Sequence, residues 1–313
     1  TGAQFYVAKN PEYGAVFTYH LKDMPKTSKS KRIQSERKLN SDKKDVPFPG
    51  YDAISKEMNE KPASIILTIK DSEGNHIRNV KKNASNGSGR IAWNLRHKSY
   101  FPVRAGSSGP RWGYFNPSGP YVTPGEYHAE FYLENNGSVE KLDGPISFNV
   151  KPLRKGTLEG ASYDDYNSFR IRVSNLYIEM SKYQDEFNMM KTKIELLDKA
   201  SLQLETFSPE IMKKISDFKT KYNAFDSETD GNPAKAEIGE WDKPSISMRT
   251  QIAMQGLSTS YGPTDLNKSN LDIAEKLFDK LALDVKMFKS ELESLENEVK
   301  ELNPPHLSGS GIN

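Results

Sequence analysis

Two stretches in the C-terminal half of the sequence hold apolar residues at unbroken three- and four-residue spacing, and no other feature restricts the fold as strongly. One runs Tyr166, Phe169, Val173, Leu176, Met180, Tyr183, Phe187, Met190, Ile194 and Leu197; the other runs Leu271, Ala274, Phe278, Leu281, Val285, Phe288, Leu292, Leu295, Val299 and Leu302. With 35% of the residues hydrophobic, such an unbroken run arises by chance in roughly three of 100,000 trials per register. The spacing predicts two amphipathic helices of ~35–40 residues, or ~50–60 Å at 1.5 Å rise per residue. Ser162 and Thr264-Asp265 are placed to cap their N-termini, and Pro304-Pro305 stops the second. Seams of this kind pack against each other within one antiparallel bundle, or take up a partner helix; the intramolecular bundle is the expectation here. Between them, Ser208-Pro209-Glu210 opens a shorter helix through Ile211, Ile215, Phe218 and Tyr222. Another is predicted over Ile246 to Leu257, and Asp226 to Lys243 reads as a polar loop.

The N-terminal half has a different period. Tyr13 to Leu21, Ala63 to Lys70, His76 to Val80, Arg90 to Arg96, Glu126 to Leu133, Val139 to Lys141 and Pro145 to Val150 are rich in β-formers and bounded by turn signals such as Asp71-Ser72-Glu73-Gly74-Asn75 and Asn135-Asn136-Gly137. About seven short strands of this kind fit a β-sandwich of roughly 100 residues. Ile91, Trp93 and Leu95 share one strand face, and Trp93 and Tyr127 are expected in its core.

Two excursions interrupt the strands. Lys22 to Asp45 carries nine Lys/Arg against four Asp/Glu, with a short helix expected around Lys29 to Leu39. Such a cluster attracts anionic lipid, polysaccharide or nucleic acid, but without interleaved aromatics it reads as a solvated insertion. The second excursion, Lys98 to Thr123, is rich in Gly and Pro and holds Tyr100 and Phe101. Its Arg104, Arg111, Trp112, Tyr114, Phe115 and Tyr121 form a candidate binding loop, because aromatic faces beside planar cations suit carbohydrate stacking or a protein hot spot. Docking of these aromatics onto a neighbouring domain of the same chain is the expectation preferred.

The rest of the composition removes function classes. Net charge is +2 and no cysteine occurs, so disulfides, thiolate metal sites and cysteine nucleophiles are excluded, and no nucleic-acid partner is implied. The five histidines, His20, His76, His97, His128 and His306, have no HExxH or HxH spacing; no metal site or cofactor is expected. No nucleophile elbow, Walker loop or dinucleotide fingerprint appears, and no apolar run reaches the ~20 residues of a transmembrane span. No catalytic residue is assigned. The start, Thr1-Gly2-Ala3-Gln4, lacks an initiator Met and a signal peptide, and reads as the continuation of something longer.

Tyr13-Gly14-Ala15-Val16-Phe17-Thr18-Tyr19 followed by Leu21-Lys22-Asp23, then Ile91-Ala92-Trp93-Asn94-Leu95-Arg96, then Gly119-Pro120 through Pro124-Gly125-Glu126-Tyr127, together resemble the C-terminal region of large exported bacterial proteins. These begin with a sortilin-like or Asp-box β-propeller and are often described as glycosyl-hydrolase-like. The Trp and Pro-Gly-x-Tyr elements are also similar to the immunoglobulin-like domain of flagellar hook-capping proteins. The likeness covers roughly residues 3 to 152; the helical half is similar in arrangement only. Asn94 stands where Asp is commoner, which touches a turn contact at most. The resemblance implies a propeller ahead of Thr1, a periplasmic or cell-surface location, and any hydrolase activity residing in that propeller.

The expected organisation is therefore an α+β multidomain chain. Residues 1–12 link to an upstream domain, 13–152 form an immunoglobulin-like sandwich with a basic insertion at 22–60 and the aromatic loop at 98–123, 153–303 form the helical bundle, and 304–313 form a flexible tail. The expected role is a non-catalytic interaction module that packs on the upstream propeller, with another envelope protein or a glycan as a further partner. The alternative is an accessory part of a glycoside hydrolase, shaping a glycan cleft through Arg111, Trp112 and Tyr114.

Overall fold

A computed structural model describes residues 10–103, 119–154, 156–157 and 159–305. The protein is α+β, with two small antiparallel sheets and seven helices among the described residues. Its contacts divide it into two compact units. One comprises Thr1–Ser99 and Ser118–Lys155; the other comprises Tyr100–Pro117 and Gly156–Asn313.

The first unit contains, in chain order, β1 (Ala15–Leu21), α1 (Ser28–Ser41), α2 (Tyr51–Asn59), β2 (Ser64–Asp71), β3 (His76–Asn83), β4 (Gly87–Trp93), β5 (Gly125–Asn135) and β6 (Ser138–Val150). β1 pairs with β4, setting Ala15 opposite Trp93 and Leu21 opposite Gly87. The other strands form a sheet in the order β3-β2-β5-β6. Strand residues alternate in direction, so Ile65, Leu67 and Ile69 of β2 and Tyr127, Ala129 and Phe131 of β5 line one face. They join Leu21, Ile91 and Trp93 from the smaller sheet in a single buried cluster. Phe17 reaches Phe131 and Phe148 edge-on, at 5.8 and 5.3 Å between ring centres.

Among the described residues six strands form where about seven were expected. Val139–Lys141 and Pro145–Val150 belong to one strand, β6, whose pairing shifts register opposite Ala129 to Tyr132. Gly144, at φ +107°, passes so close to β5 that a Cβ there would lie 2.6 Å from the Ala129 carbonyl oxygen. A Gly-Pro pair that looks like a break in the sequence is accommodated as a bulge. β4 ends at Trp93 rather than Arg96, because Leu95 takes a left-handed φ of 57° that leaves the extended region.

The basic insertion holds two helices rather than one. Thr27 caps α1, while Glu60 accepts hydrogen bonds from the Ser28 backbone N–H and hydroxyl. Arg32 forks onto both oxygens of Glu57 at 2.8 Å. Neither helix has a buried residue. Polar pairing, not a core, joins them.

The second unit contains α3 (Tyr163–Ser201), α4 (Pro209–Asp230), α5 (Pro233–Glu237), α6 (Ile246–Gln255) and α7 (Asp265–Lys300). α3 and α7 have 39 and 36 residues. Ser162 and Thr264 cap them, Thr264 in a reciprocal capping box with Asn267. Every seam position of α7 from Leu271 to Val299 is buried, as are seven on α3: Phe169, Val173, Leu176, Phe187, Met190, Ile194 and Leu197. The segment read as a polar loop is shorter than expected, since α4 continues to Asp230 and α5 follows at Pro233.

The two long helices do not form an antiparallel hairpin. Arg172 pairs with Asp272 and Glu275, Glu186 with Lys289, and Lys193 with Glu296, so residue numbers rise together and α3 runs parallel to α7. The return leg comes from the helices between them. Lys214 meets Glu298 and Lys221 meets Glu291, which sets α4 antiparallel to α7. Phe187 stacks on Tyr222 at 4.0 Å and Tyr183 meets Thr229, which sets α4 antiparallel to α3. α6 continues the return, with Thr250 against Met180 and Leu257 against Tyr166. Two short helices in series close the gap, so the chain reaches α7 already at the starting end of α3. No described helix is long and apolar enough to cross a membrane.

Candidate functional site

Of the residues in the expected binding loop, Arg104, Arg111, Trp112, Tyr114 and Phe115 lie outside the described residues. Tyr121 lies within them. It is 41% exposed, follows an isolated bridge between its own backbone and Arg96, and carries the Arg96 guanidinium over its ring at 3.7 Å. Arg96 also donates to the Gly119 carbonyl at 3.0 Å, which holds the guanidinium plane in place. Tyr13, 60% exposed, meets the Tyr121 ring edge-on with centroids 6.4 Å apart. The result is an aromatic and cationic surface in the first unit. The sequence pointed to Tyr121; Arg96 joins it through the isolated bridge between their backbones, and Tyr13 through the β1–β4 pairing, which sets the start of β1 beside the end of β4.

The surface is held from below by the core. Trp93 is fully buried and donates its indole N–H to the Arg96 carbonyl at 2.9 Å. Tyr127 packs on Trp93 at 5.5 Å and donates its hydroxyl to the Thr123 carbonyl at 2.7 Å. Gly14, at φ +114°, allows the chain to pass over the Trp93 carbonyl, where a Cβ would lie 2.0 Å from the oxygen. Asn94 accepts a long contact from Arg78 at 3.5 Å. Desolvation, with the like charge of Arg96, lowers the Arg78 pKa.

Tyr100 and Phe101 serve a different purpose. Both belong to the second unit, where they pack against its core and meet Tyr177 edge-on at 5.3 and 5.0 Å. These two aromatics of the excursion are packing residues.

The described histidines lie on strands or beside them. His20 is bonded to Ser88, His128 to Ser147 and His76 to Asn79. Among the described residues no group of three or more His, Cys, Asp or Glu could hold a metal ion.

A concavity of about 810 Å³ lies in the helical unit. Gly231, at φ +98°, and Pro233 break the return leg between α4 and α6, and the concavity opens there beside the half-buried middle of α3. Tyr177 and Met180 of α3 floor the opening, joined by Met248 and Met254 of α6, and Asp226 and Asp230 at the end of α4 stand on its wall. Asp230 accepts from the Ser247 hydroxyl at 2.5 Å. The Asp226 carboxyl is pushed above its ordinary pKa, chiefly by desolvation and then by repulsion from Asp230, with Lys191 opposing. Asp242 is held below the ordinary range by hydrogen bonds from Lys235 and the Asn232 backbone. Sequence reading missed this groove. The one available signal was Phe-Asp-Ser-Glu-Thr-Asp, an acidic helix end just before Gly-Asn-Pro.

Compared with known protein families, curated proteins and solved structures, the chain matches none.

Proposed function

We propose that the chain is a non-catalytic interaction module of a larger exported β-propeller protein. In this reading the first unit is an immunoglobulin-type sandwich and the second a helical bundle with three legs, α3, α4 with α6, and α7. The sandwich reading is supported by Trp93 beneath Tyr127, whose hydroxyl turns back to a carbonyl four residues upstream; such a tyrosine corner recurs in these sandwiches. The observation that carries the functional reading is the surface where exposed Tyr13 and Tyr121 meet half-buried Arg96. Aromatic rings and arginine on a rigid support are the residue types that dominate binding energy at interfaces. The partner proposed for it is the propeller of the same polypeptide, at the periplasmic or outer cell surface.

Two measurements on one set of proteins test this. The chain is titrated with a separately produced propeller from the same gene, and is applied to a glycan array. Attachment to the propeller that Tyr121→Ala weakens, with no glycan retained, is the expected result. Glycan binding abolished by Trp112→Ala would instead identify an accessory part of a glycoside hydrolase.

A further inference from the structure

The end of α4 is arranged against its own stability. Asp226, Glu228 and Asp230 occupy its last turns and no Lys or Arg stands in the final turn. A helix C-terminus carries partial negative charge, so carboxylates there are unfavourable. Asp226 and Asp230 are also i,i+4 neighbours of like charge, a second unfavourable term. Asp226 has no hydrogen-bond or ion-pair partner among the described residues, and it is half-buried. Both aspartates line the groove opened by the break at Gly231-Asn232-Pro233.

The groove floor has the opposite character. Met180, Met248 and Met254 are unbranched and polarizable side chains that adapt to varied apolar surfaces, and Tyr177 adds an aromatic edge. Gln184 and Gln251 place amide groups at the margin, offering both donors and acceptors. The volume of about 810 Å³ is in the range of a ligand site rather than a packing defect.

We infer that this groove binds a basic peptide segment, one cationic side chain seated between Asp226 and Asp230 and a neighbouring apolar side chain on the methionine floor. The cation neutralises the helix end and removes the repulsion between the aspartates. The apolar neighbour covers the surface that half-buried Tyr177 and Met180 still present to the groove. The glutamine amides favour a peptide over a polyamine, which has donors but no acceptors to answer them. The groove belongs to the second unit, and the inference does not depend on the role proposed for Tyr13, Tyr121 and Arg96.

The test is fluorescence anisotropy of a labelled peptide of alternating lysine and leucine, titrated with the whole chain. Saturable binding is expected, weakened more than about ten-fold by Asp226→Asn with Asp230→Asn, as truncation of one side of a close charge pair does. Asp284→Asn, on α7 and away from the groove, leaves the affinity unchanged. The double variant melts higher than the parent, so weakened binding is not a folding defect. Unchanged affinity in the double variant overturns the inference, as does an equal loss with Asp284→Asn. Equal binding of a lysine–serine peptide reduces the effect to ion exchange, and displacement by equimolar spermidine assigns the groove to a polyamine; either result also overturns it.

Discussion

Asp226 shows how a single side chain is held at the expense of stability. Its pKa is raised in the folded chain by desolvation first and by Asp230 second. The folded state therefore holds this proton more tightly than the unfolded state, and the ionised group disfavours folding at neutral pH. That penalty is present above the folded pKa and disappears as pH falls below the ordinary carboxylate range. Asp226→Asn is accordingly expected to raise the melting temperature at pH 7 and to have no effect in acid, which calorimetry at the two pH values checks. Glu130 has the opposite sign. Lys70 and then Lys141 donate to it, with Tyr132, and hold its pKa at about 2. Its contribution is complete above the ordinary glutamate pKa and is lost as pH falls towards 2. Glu130→Gln, measured by urea unfolding at pH 7, should cost about 1.5–3 kcal/mol, the scale of hydrogen bonds to charged groups.

At the scale of elements, the helices were legible because their signals are local. The seam of α7 is read from spacing, its start from Thr264 and its end from the prolines, and each depends on residues a few positions apart. Thr264→Ala removes the side chain that accepts from Asn267, and should cost about 1 kcal/mol by thermal or urea unfolding, the usual value of an N-cap. α2 was not legible. Its Ala53, Ile54 and Glu57 are only half-buried, and what fixes it is a fork from Arg32 in another helix. β6 looked like two strands because Gly144-Pro145 carries a turn signature; the close approach to Ala129 that turns it into a bulge is a contact with β5. The candidate surface was half legible for the same reason: Tyr121 announced itself as an aromatic in a Gly/Pro-rich segment, whereas Tyr13 is an ordinary strand-flanking residue until β1 pairs with β4, and Arg96 until its backbone bridges to Tyr121.

At the scale of the whole molecule, each unit has its own core, one centred on Trp93 and one on the seams of α3 and α7. Trp93→Ala empties a fully buried site and should cost about 3–5 kcal/mol. Hydrogen exchange should then show lost protection across β1, β2, β4 and β5, with α7 retaining its own. The sequence by itself determined the helical period, the caps of the long helices, most of the strands and the burial of Trp93, because each follows from steric and hydrophobic rules acting over a few residues. Only the tertiary structure decided that α3 and α7 run parallel and that a groove opens between α4 and α6. Both follow from the route of the chain between the long helices: α4 and α6 together form the return leg, and the left-handed turn at Gly231 and the proline at 233 divide it. A seam specifies which face is buried but is satisfied by a partner of either direction, so direction and vacancy are fixed by the connection and not by the period.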